Sequence, residues 1–227
     1  MKTILCAVFF SFALSLLFCL SAIPLLKRMG GQHILVYVKE HEQKEGTPTM
    51  GGLAFILAAV IAALVFVRGA DRPFWVAIAV GLGYLIVGFL DDFLKKQRGN
   101  NLGLRAYQKI LFQLGVAVIA SVFCCLEGFT VVRIPYTQLS FDIGWWMLPL
   151  GILVFVATVN GVNLTDGLDG LAGGTSAVFF LVLALLLGAQ GGSDAIALLC
   201  VCLVGALAAF LLFNTNRAAV FMGDTGS

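Results

Sequence analysis

Seven apolar stretches, separated by short polar segments, follow one another along the chain. Each is close to the ~20 residues that cross a bilayer as a helix. They are Ile4–Leu26, Gly51–Val67, Phe74–Leu90, Ile110–Leu126, Trp145–Val159, Leu171–Ala189 and Ala195–Phe213. Because unpaired backbone groups cannot face lipid, each stretch is predicted to form a helix. The pattern therefore predicts an all-α fold, a polytopic bundle of transmembrane helices that forms one integral membrane domain over residues 1–227.

The segment between the fourth and fifth stretches has a different pattern. Thr130–Ile134 and Gln138–Phe141 flank Pro135 and are rich in strand-forming residues. This composition predicts a short β-hairpin between two spans.

Composition supports a membrane protein and excludes other classes. Hydrophobic residues make up 60% of the chain and charged residues 11%, whereas about a quarter of the residues in an average soluble domain are charged. The net charge of +2 is too small to indicate a nucleic-acid partner. The six cysteines lie inside apolar stretches without metal-binding spacing, which favours buried hydrophobic side chains over disulfides or zinc ligands.

Basic residues are distributed unequally between the two sides of the predicted bundle. The loops that follow spans one, three, five and seven carry ten of them, and the other side carries four. The ten are Lys27, Arg28, Lys39, Lys44, Lys95, Lys96, Arg98, Arg105, Lys109 and Arg217, and the four are Lys2, Arg68, Arg72 and Arg133. The positive-inside rule makes the first side cytoplasmic. The N-terminus and the hairpin are then predicted to lie outside.

Four polar segments on the predicted inner side carry groups suited to chemistry. The first, Gly46–Gly52, enters span two through a proline and paired glycines. Backbone N–H groups at such a helix start can bind an anion. The alternative is a loop that needs glycine and proline only to turn into the span.

The second segment places Asp91 and Asp92 directly after an apolar run and before Lys95 and Lys96. Two adjacent carboxylates suit Mg²⁺, which is held by one or two carboxylates together with substrate phosphates. The alternative is a set of ordinary charges flanking a span, although such charges are usually Lys and Arg. The pair therefore favours function.

The third and fourth segments follow spans five and seven. In Asn160–Gly170, two amides and two carboxylates recur at intervals of three, and ionisable groups at a membrane edge are functional candidates. The alternative is that Asn163 or Asp166, or the threonine between them, caps span six. In the fourth segment, Asp224 lies between glycines. Carboxylates, cations and glycines on one side together favour a phosphorylated, metal-bridged substrate.

These motifs resemble a known family in matching order along nearly the whole chain. The matching stretches are Gly46–Gly52, Gly88–Asp92, Asn163–Ala172 and Val220–Ser227. They are similar to the phospho-N-acetylmuramoyl-pentapeptide-transferase family, which belongs to the polyprenyl-phosphate N-acetylhexosamine-1-phosphate transferases. The resemblance implies a bacterial inner-membrane enzyme that moves phospho-MurNAc-pentapeptide from UDP-MurNAc-pentapeptide to undecaprenyl phosphate, with Mg²⁺ as cofactor. The implied products are undecaprenyl-diphospho-MurNAc-pentapeptide and UMP, in peptidoglycan synthesis.

The resemblance also implies roles for individual residues. The catalytic residues would be Asp91, Asp92 and Asp224, with Asp224 and Asp92 on the metal. The substrate-binding residues would be Lys109, Asn160, Asn163, Asp166, Asp169, Asn214 and Phe221. The attacking phosphate is largely ionised at neutral pH, since its second pKa is near 6. Metal holding and positioning therefore outweigh proton abstraction for the aspartate pair. A homodimer is a further hypothesis.

Two departures from the family pattern matter. Arg217 stands where the family has a proline before alanine, which predicts a changed local turn. The family also has about ten spans and a late histidine-containing cytoplasmic loop, whereas the histidines here are His33 and His41. The chain is therefore expected to be an N-terminal portion of a longer protein.

Three other interpretations stay open at this point. A sister transferase would use UDP-GlcNAc in place of the muramoyl substrate. A membrane transporter would place its charges in mid-span and reach both faces. A structural membrane protein would have no reason to gather carboxylates at the ends of spans that run in one direction.

Overall fold

The computed structural model describes residues 2–28, 47–98, 103–134, 137, 139–215 and 217–227. Within them the chain forms seven α-helices. They are α1 (Lys2–Arg28), α2 (Gly52–Phe66), α3 (Arg72–Arg98), α4 (Ala106–Leu126), α5 (Met147–Thr165), α6 (Leu171–Gln190) and α7 (Asp194–Asn214). Six are long and apolar enough to cross a membrane, and α2 is shorter with 15 residues. Each predicted apolar stretch is thus a helix, and the all-α polytopic bundle is confirmed.

Two helices continue beyond their apolar stretches. The hydropathy pattern ended the third stretch at Leu90, but α3 continues to Arg98. Lys, Gln and Arg are good helix formers, and an ion pair of 2.9 Å between Asp91 Oδ2 and Lys95 Nζ links successive turns. Likewise α5 continues through Asn160 to Thr165. Several candidate site residues therefore lie on rigid helix ends and not in loops.

The predicted hairpin is present. Strand β1 (Val131–Arg133) pairs antiparallel with β2 (Ser140–Asp142). A short 3₁₀ turn follows, in which Trp145 and Trp146 are 66% and 77% exposed. Tryptophans in this position are typical of a membrane–water interface.

The helices form two groups. In the first group, α1, α2 and α6 pack on α7, and small side chains allow α1 and α7 to lie close together. Ser11 Oγ donates to the carbonyl oxygen of Cys202 at 2.6 Å, and Ser15 Oγ donates to that of Ala206 at 2.8 Å. These bonds satisfy buried hydroxyls and fix the height of α1 against α7.

The second group consists of α3, α4 and α5, in which α4 packs against both neighbours. It joins the first group through contacts of α5 with α6 and through α3, whose Phe74 and Ile78 are buried in the common hydrophobic core. Successive helices run in opposite directions. The C-terminal ends of α3, α5 and α7 therefore meet at one end of the bundle, while the ion pair of Arg72 with Glu127 lies at the other end.

Residues 217–227, called here the return segment, follow α7 and turn back beneath these helix ends. Gly51 N donates to the carbonyl oxygen of Phe221 at 2.9 Å, and Gly52 N donates to that of Met222 at 3.0 Å. The hypothesis that these N–H groups bind an anion is therefore wrong, because the return segment already occupies them. Gly46, the first residue of that motif, lies outside the described residues.

Close approach of the return segment requires glycine on α3. A Cβ atom at Gly88 would overlap the carbonyl oxygen of Asp224. Two turns earlier on the same helix, a Cβ atom at Gly81 would meet no atom within 4 Å.

We predict that Gly88→Ala lowers stability by about 1–3 kcal/mol, the usual range for overpacking, because the return segment must move. Gly81→Ala is the matched control and should leave the melting temperature unchanged or slightly higher, since alanine favours helix. Thermal unfolding of both variants in detergent measures the difference. Equal melting temperatures for the two variants would contradict the close packing at Gly88.

Candidate active site

Three carboxylates hold the backbone of the return segment. Asp92 Oδ2 accepts from Thr225 N at 2.9 Å and from Thr225 Oγ1 at 2.6 Å. Asp166 Oδ2 accepts from Gly223 N at 2.8 Å. Together these bonds satisfy N–H groups on both sides of residue 224 and fix the direction in which its side chain points.

A third carboxylate and a buried amide fix the start of the return segment. Asp169 Oδ2 accepts from Ala218 N at 3.2 Å. Asn214, which is 2% exposed, accepts from Gly170 N at 3.1 Å and donates to the Val220 carbonyl at 2.9 Å. Asn214 therefore clamps the turn before α6 to the return segment.

Asp224 faces two lysines and an amide. Its carboxylate contacts Lys95 Nζ and Asn163 Nδ2, and its Oδ1 lies 3.2 Å from Lys109 Nζ. Asp91 Oδ2 lies 2.9 Å from Lys95 Nζ and 3.6 Å from Lys109 Nζ. We call Asp91, Lys95, Lys109 and Asp224 the charge cluster. It joins α3, α4 and the return segment, and Asn163 adds α5.

A second amide pair lies one turn deeper. Gln113 is 1% exposed, and its Oε1 accepts from Asn160 Nδ2 at 2.8 Å. Tyr84 Oη donates to the main-chain carbonyl of Gln113 at 3.3 Å. These bonds connect α3, α4 and α5 inside the bundle, and they orient the helices that carry Lys109 and Asn163.

A cavity of about 260 Å³ opens beside the charge cluster. Lys109, Asn163 and Asp224 line its polar part. Apolar side chains, among them Leu85 and Phe180, line the remainder. The cavity thus places charged groups next to an apolar volume, which suits a ligand with an anionic head and an apolar body.

Burial and charge shift the acids of this region in opposite directions. Burial raises the pKa of Asp166 to about 7, although the hydrogen bond from Gly223 N–H opposes the shift. Burial also acts to raise the pKa of Asp224, but the adjacent Asp91 carboxyl and the charges of Lys95 and Lys109 outweigh it and hold that pKa below its ordinary value. Asp224 is therefore ionised at neutral pH, whereas the pKa of Asp166 lies near neutrality.

Comparison with known proteins identifies the family. The family model for glycosyl transferase family 4 matches residues 74–227. Signature 1 of phospho-N-acetylmuramoyl-pentapeptide-transferase matches residues 44–56. Curated proteins named phospho-N-acetylmuramoyl-pentapeptide-transferase are similar: that of Oceanobacillus iheyensis is 42% identical over 90% of this chain and 65% of its own length. That of Bacillus subtilis is 42% identical over 100% of this chain and 71% of its own length.

The chain belongs to the phospho-N-acetylmuramoyl-pentapeptide-transferase family. The resemblance recognised in the motifs is therefore confirmed. The chain spans 65% to 71% of the length of these two transferases.

The transferase family implies Mg²⁺, and the side chains of the site suit it. Hard cations prefer carboxylate oxygens, and Lys95 already places one positive charge between Asp91 and Asp224. Among the described residues no three His, Cys, Asp or Glu side chains converge on one point. Mg²⁺ does not need three such ligands, because one or two carboxylates suffice when substrate phosphates and water complete its shell.

The structure brings the predicted site residues together at one end of the bundle, but they make two different kinds of contact. Asp91, Lys109, Asn163 and Asp224 face one another. The others hold backbone or neighbouring helices, and Phe221 is half-buried in the return segment. The hypothesis that Asn163 or Asp166 caps α6 is wrong, because Gly170 is the N-cap and no side chain caps it.

Sequence reasoning missed several partners in the candidate site. Lys95 was not among the predicted site residues, although its position four residues after Asp91 on a continued helix was a usable signal. Gln113 and Thr225 gave no signal, because their partners Asn160 and Asp92 are distant in sequence.

Arg217 has a backbone conformation that the proline of the family could not adopt. Arg217 has φ 73°, a value that proline cannot adopt because its ring fixes φ near −65°. A proline at this position would require a different backbone path into the return segment. Asn214 and Asp224 nevertheless reach the positions described above.

We predict that Asn214→Leu lowers stability by about 1–3 kcal/mol, because it leaves buried backbone groups of Gly170 and Val220 unpaired. Thr215→Ala is the matched control. It removes an exposed hydroxyl that bonds only within α7, so it should change stability by less than about 0.5 kcal/mol. Thermal unfolding measures both. If Asn214→Leu lost transfer activity at unchanged stability, Asn214 would be a substrate contact and not a clamp.

Proposed function

We propose that the protein transfers phospho-MurNAc-pentapeptide from UDP-MurNAc-pentapeptide to undecaprenyl phosphate. The products are undecaprenyl-diphospho-MurNAc-pentapeptide and UMP, an early step of peptidoglycan synthesis. The single observation that carries the proposal is the charge cluster, which places Asp224 between two lysines beside a cavity that is polar at one part and apolar elsewhere. Family membership narrows this phosphate chemistry to the muramoyl substrate.

The reaction is a displacement at phosphorus. An oxygen of the lipid phosphate forms a bond to the phosphorus that carries the sugar, and the bond from that phosphorus to the UMP oxygen breaks. Phosphoryl transfer depends mainly on positioning and on stabilising negative charge. Lys95 and Lys109 supply two positive charges where the diphosphate would lie, and Asn163 adds an N–H donor.

The contacts of the aspartate pair favour positioning over proton abstraction. Asp91 Oδ1 accepts from Leu104 N at 2.6 Å, and its Oδ2 bonds to Lys95. Asp92 Oδ2 is occupied by Thr225. Since the lipid phosphate is already largely ionised at neutral pH, the reaction needs no strong base. The pair would instead hold Lys95 and the return segment in place.

Asp224, with Asp92 beside it, would hold Mg²⁺. When bound, the ion supplies positive charge to the diphosphate oxygens as the phosphorus–oxygen bond to UMP breaks. The residues of the chain do the remaining work: they bind the diphosphate, orient it and keep the return segment rigid.

We place the site on the cytoplasmic side of the bacterial inner membrane, with the N-terminus outside. The distribution of basic residues supports this orientation, although Lys39 and Lys44 lie outside the described residues. The structure supports it further, because the candidate residues share one end of the bundle and the exposed tryptophans lie at the other. Homodimer formation is still only a prediction.

We predict that Asp224→Asn and Asp91→Asn each lower transfer by about 100-fold or more, as expected when a charged group is removed from a pre-organised site. Asp194→Asn at the opposite end of α7 is the matched control and should retain near-normal turnover. The measurement is release of UMP in a detergent assay with defined Mg²⁺. Near-normal transfer by either site variant would rule out the proposed role of the charge cluster.

A further inference from the structure

Lys95 bridges two carboxylates of the candidate site. Its Nζ lies 2.9 Å from Asp91 Oδ2 and also contacts Asp224 Oδ2. The side chains of Asp91 and Asp224 are only 4% and 9% exposed. A positive charge therefore bridges the two carboxylates.

The other oxygen of Asp224 is occupied as well. Its Oδ1 accepts from Asn163 Nδ2 and lies 3.2 Å from Lys109 Nζ. Two carboxyl groups thus face two ammonium groups, and their formal charges cancel. A divalent cation that enters this arrangement meets two positive charges and finds no vacant oxygen on Asp224.

Lys95 and Lys109 do not contact the two carboxylates equally. Lys95 contacts the carboxylates of both Asp91 and Asp224 on their Oδ2 atoms, whereas Lys109 is 3.6 Å from Asp91 Oδ2. Lys95 is also held locally, because it lies one helical turn after Asp91 on α3. It is the cation that a metal ion would have to replace.

We propose that Lys95 is a built-in counter-ion that competes with the divalent cation for Asp224, so that the cation binds only by displacing the Lys95 ammonium group. The inference rests on the proposed function, in which Asp224 binds Mg²⁺. It goes further because it assigns Lys95 a role in excluding the metal until the substrate arrives.

A bound diphosphate would relieve the repulsion between the cation and the Lys95 ammonium group. The displaced ammonium group needs a new anionic partner, and the phosphate oxygens supply it within reach of the same helix end. Their negative charge also offsets the added charge of the cation. The cation and a nucleotide diphosphate should therefore bind cooperatively, and the cation alone should bind weakly.

The test uses Mn²⁺ as the probe, titrated into the purified protein in detergent without nucleotide, with free Mn²⁺ read by its electron paramagnetic resonance signal. Lys95→Gln should bind Mn²⁺ about tenfold or more tightly than the wild type. The substitution removes the repulsion between the ammonium group and a divalent cation about 4 Å away, and that repulsion is worth more than a tenfold change in affinity even at the dielectric constant of water. Lys95→Arg keeps the charge and should match the wild type.

Lys96→Gln is the matched control. Lys96 is the next residue on α3 and takes no part in the charge cluster, so its variant should bind Mn²⁺ as the wild type does. Equal or weaker Mn²⁺ binding by Lys95→Gln overturns the proposal, as does an equal gain in Lys96→Gln. If Lys95→Gln gains affinity but adding Asp224→Asn does not reverse the gain, the metal site assigned to Asp224 is wrong instead.

A measurement on the wild type keeps the proposal testable if Lys95→Gln does not fold. At concentrations high enough to saturate the site, Mn²⁺ should increase the rate at which an amine-reactive ester labels Lys95, because the displaced side chain loses its carboxylate partners. Lys96 serves as the internal reference in the same peptide, read by tandem mass spectrometry. An unchanged ratio of labelling at Lys95 and Lys96 overturns the proposal.

Discussion

The arrangement of this site depends on how the return segment satisfies its backbone N–H groups at the edge of a membrane bundle. Unpaired buried N–H groups are costly, and main-chain carbonyls of Phe213, Pro48 and Gly223 pair with only some of them. Carboxylates of α3 and of the turn after α5 accept bonds from others, at Thr225, Gly223 and Ala218. With its backbone fixed on both sides, Asp224 has one direction to face, and that direction leads to the lysines of α3 and α4.

The four polar residues between Asn160 and Asp169 have similar spacing in the sequence but different contacts in the structure. The interval of three from Asn160 to Asp169 suggests four equivalent ligands. The helix α5 ends at Thr165, however, so the two amides lie on a helix while the two carboxylates lie in a turn. Asn163 therefore reaches the charge cluster, whereas Asp166 reaches only the backbone beside it. A spacing pattern does not reveal where a helix ends.

Much of the fold was predictable because hydrophobic length and backbone pairing in lipid leave few alternatives, and each apolar stretch became a helix. The gathering of acids at one end also followed, since successive helices alternate in direction. The pairing of Asp92 with Thr225, or of Gln113 with Asn160, was not predictable. Such contacts depend on the packing of distant helices, and no local pattern encodes them. Gly51 and Gly52 show the same limit, because the partner of their N–H groups is 170 residues away along the chain.

The division of the helices into two groups has a mechanical consequence. The first group carries the return segment on α7, and the second carries Lys95, Lys109 and Asn163. Besides the apolar contacts of α3 and the contacts of α5 with α6, the polar bonds within the site join the two groups. Any ligand that rearranges those bonds also changes how firmly the two halves of the bundle are attached. The chemistry of the site and the rigidity of the membrane domain therefore depend on the same polar bonds.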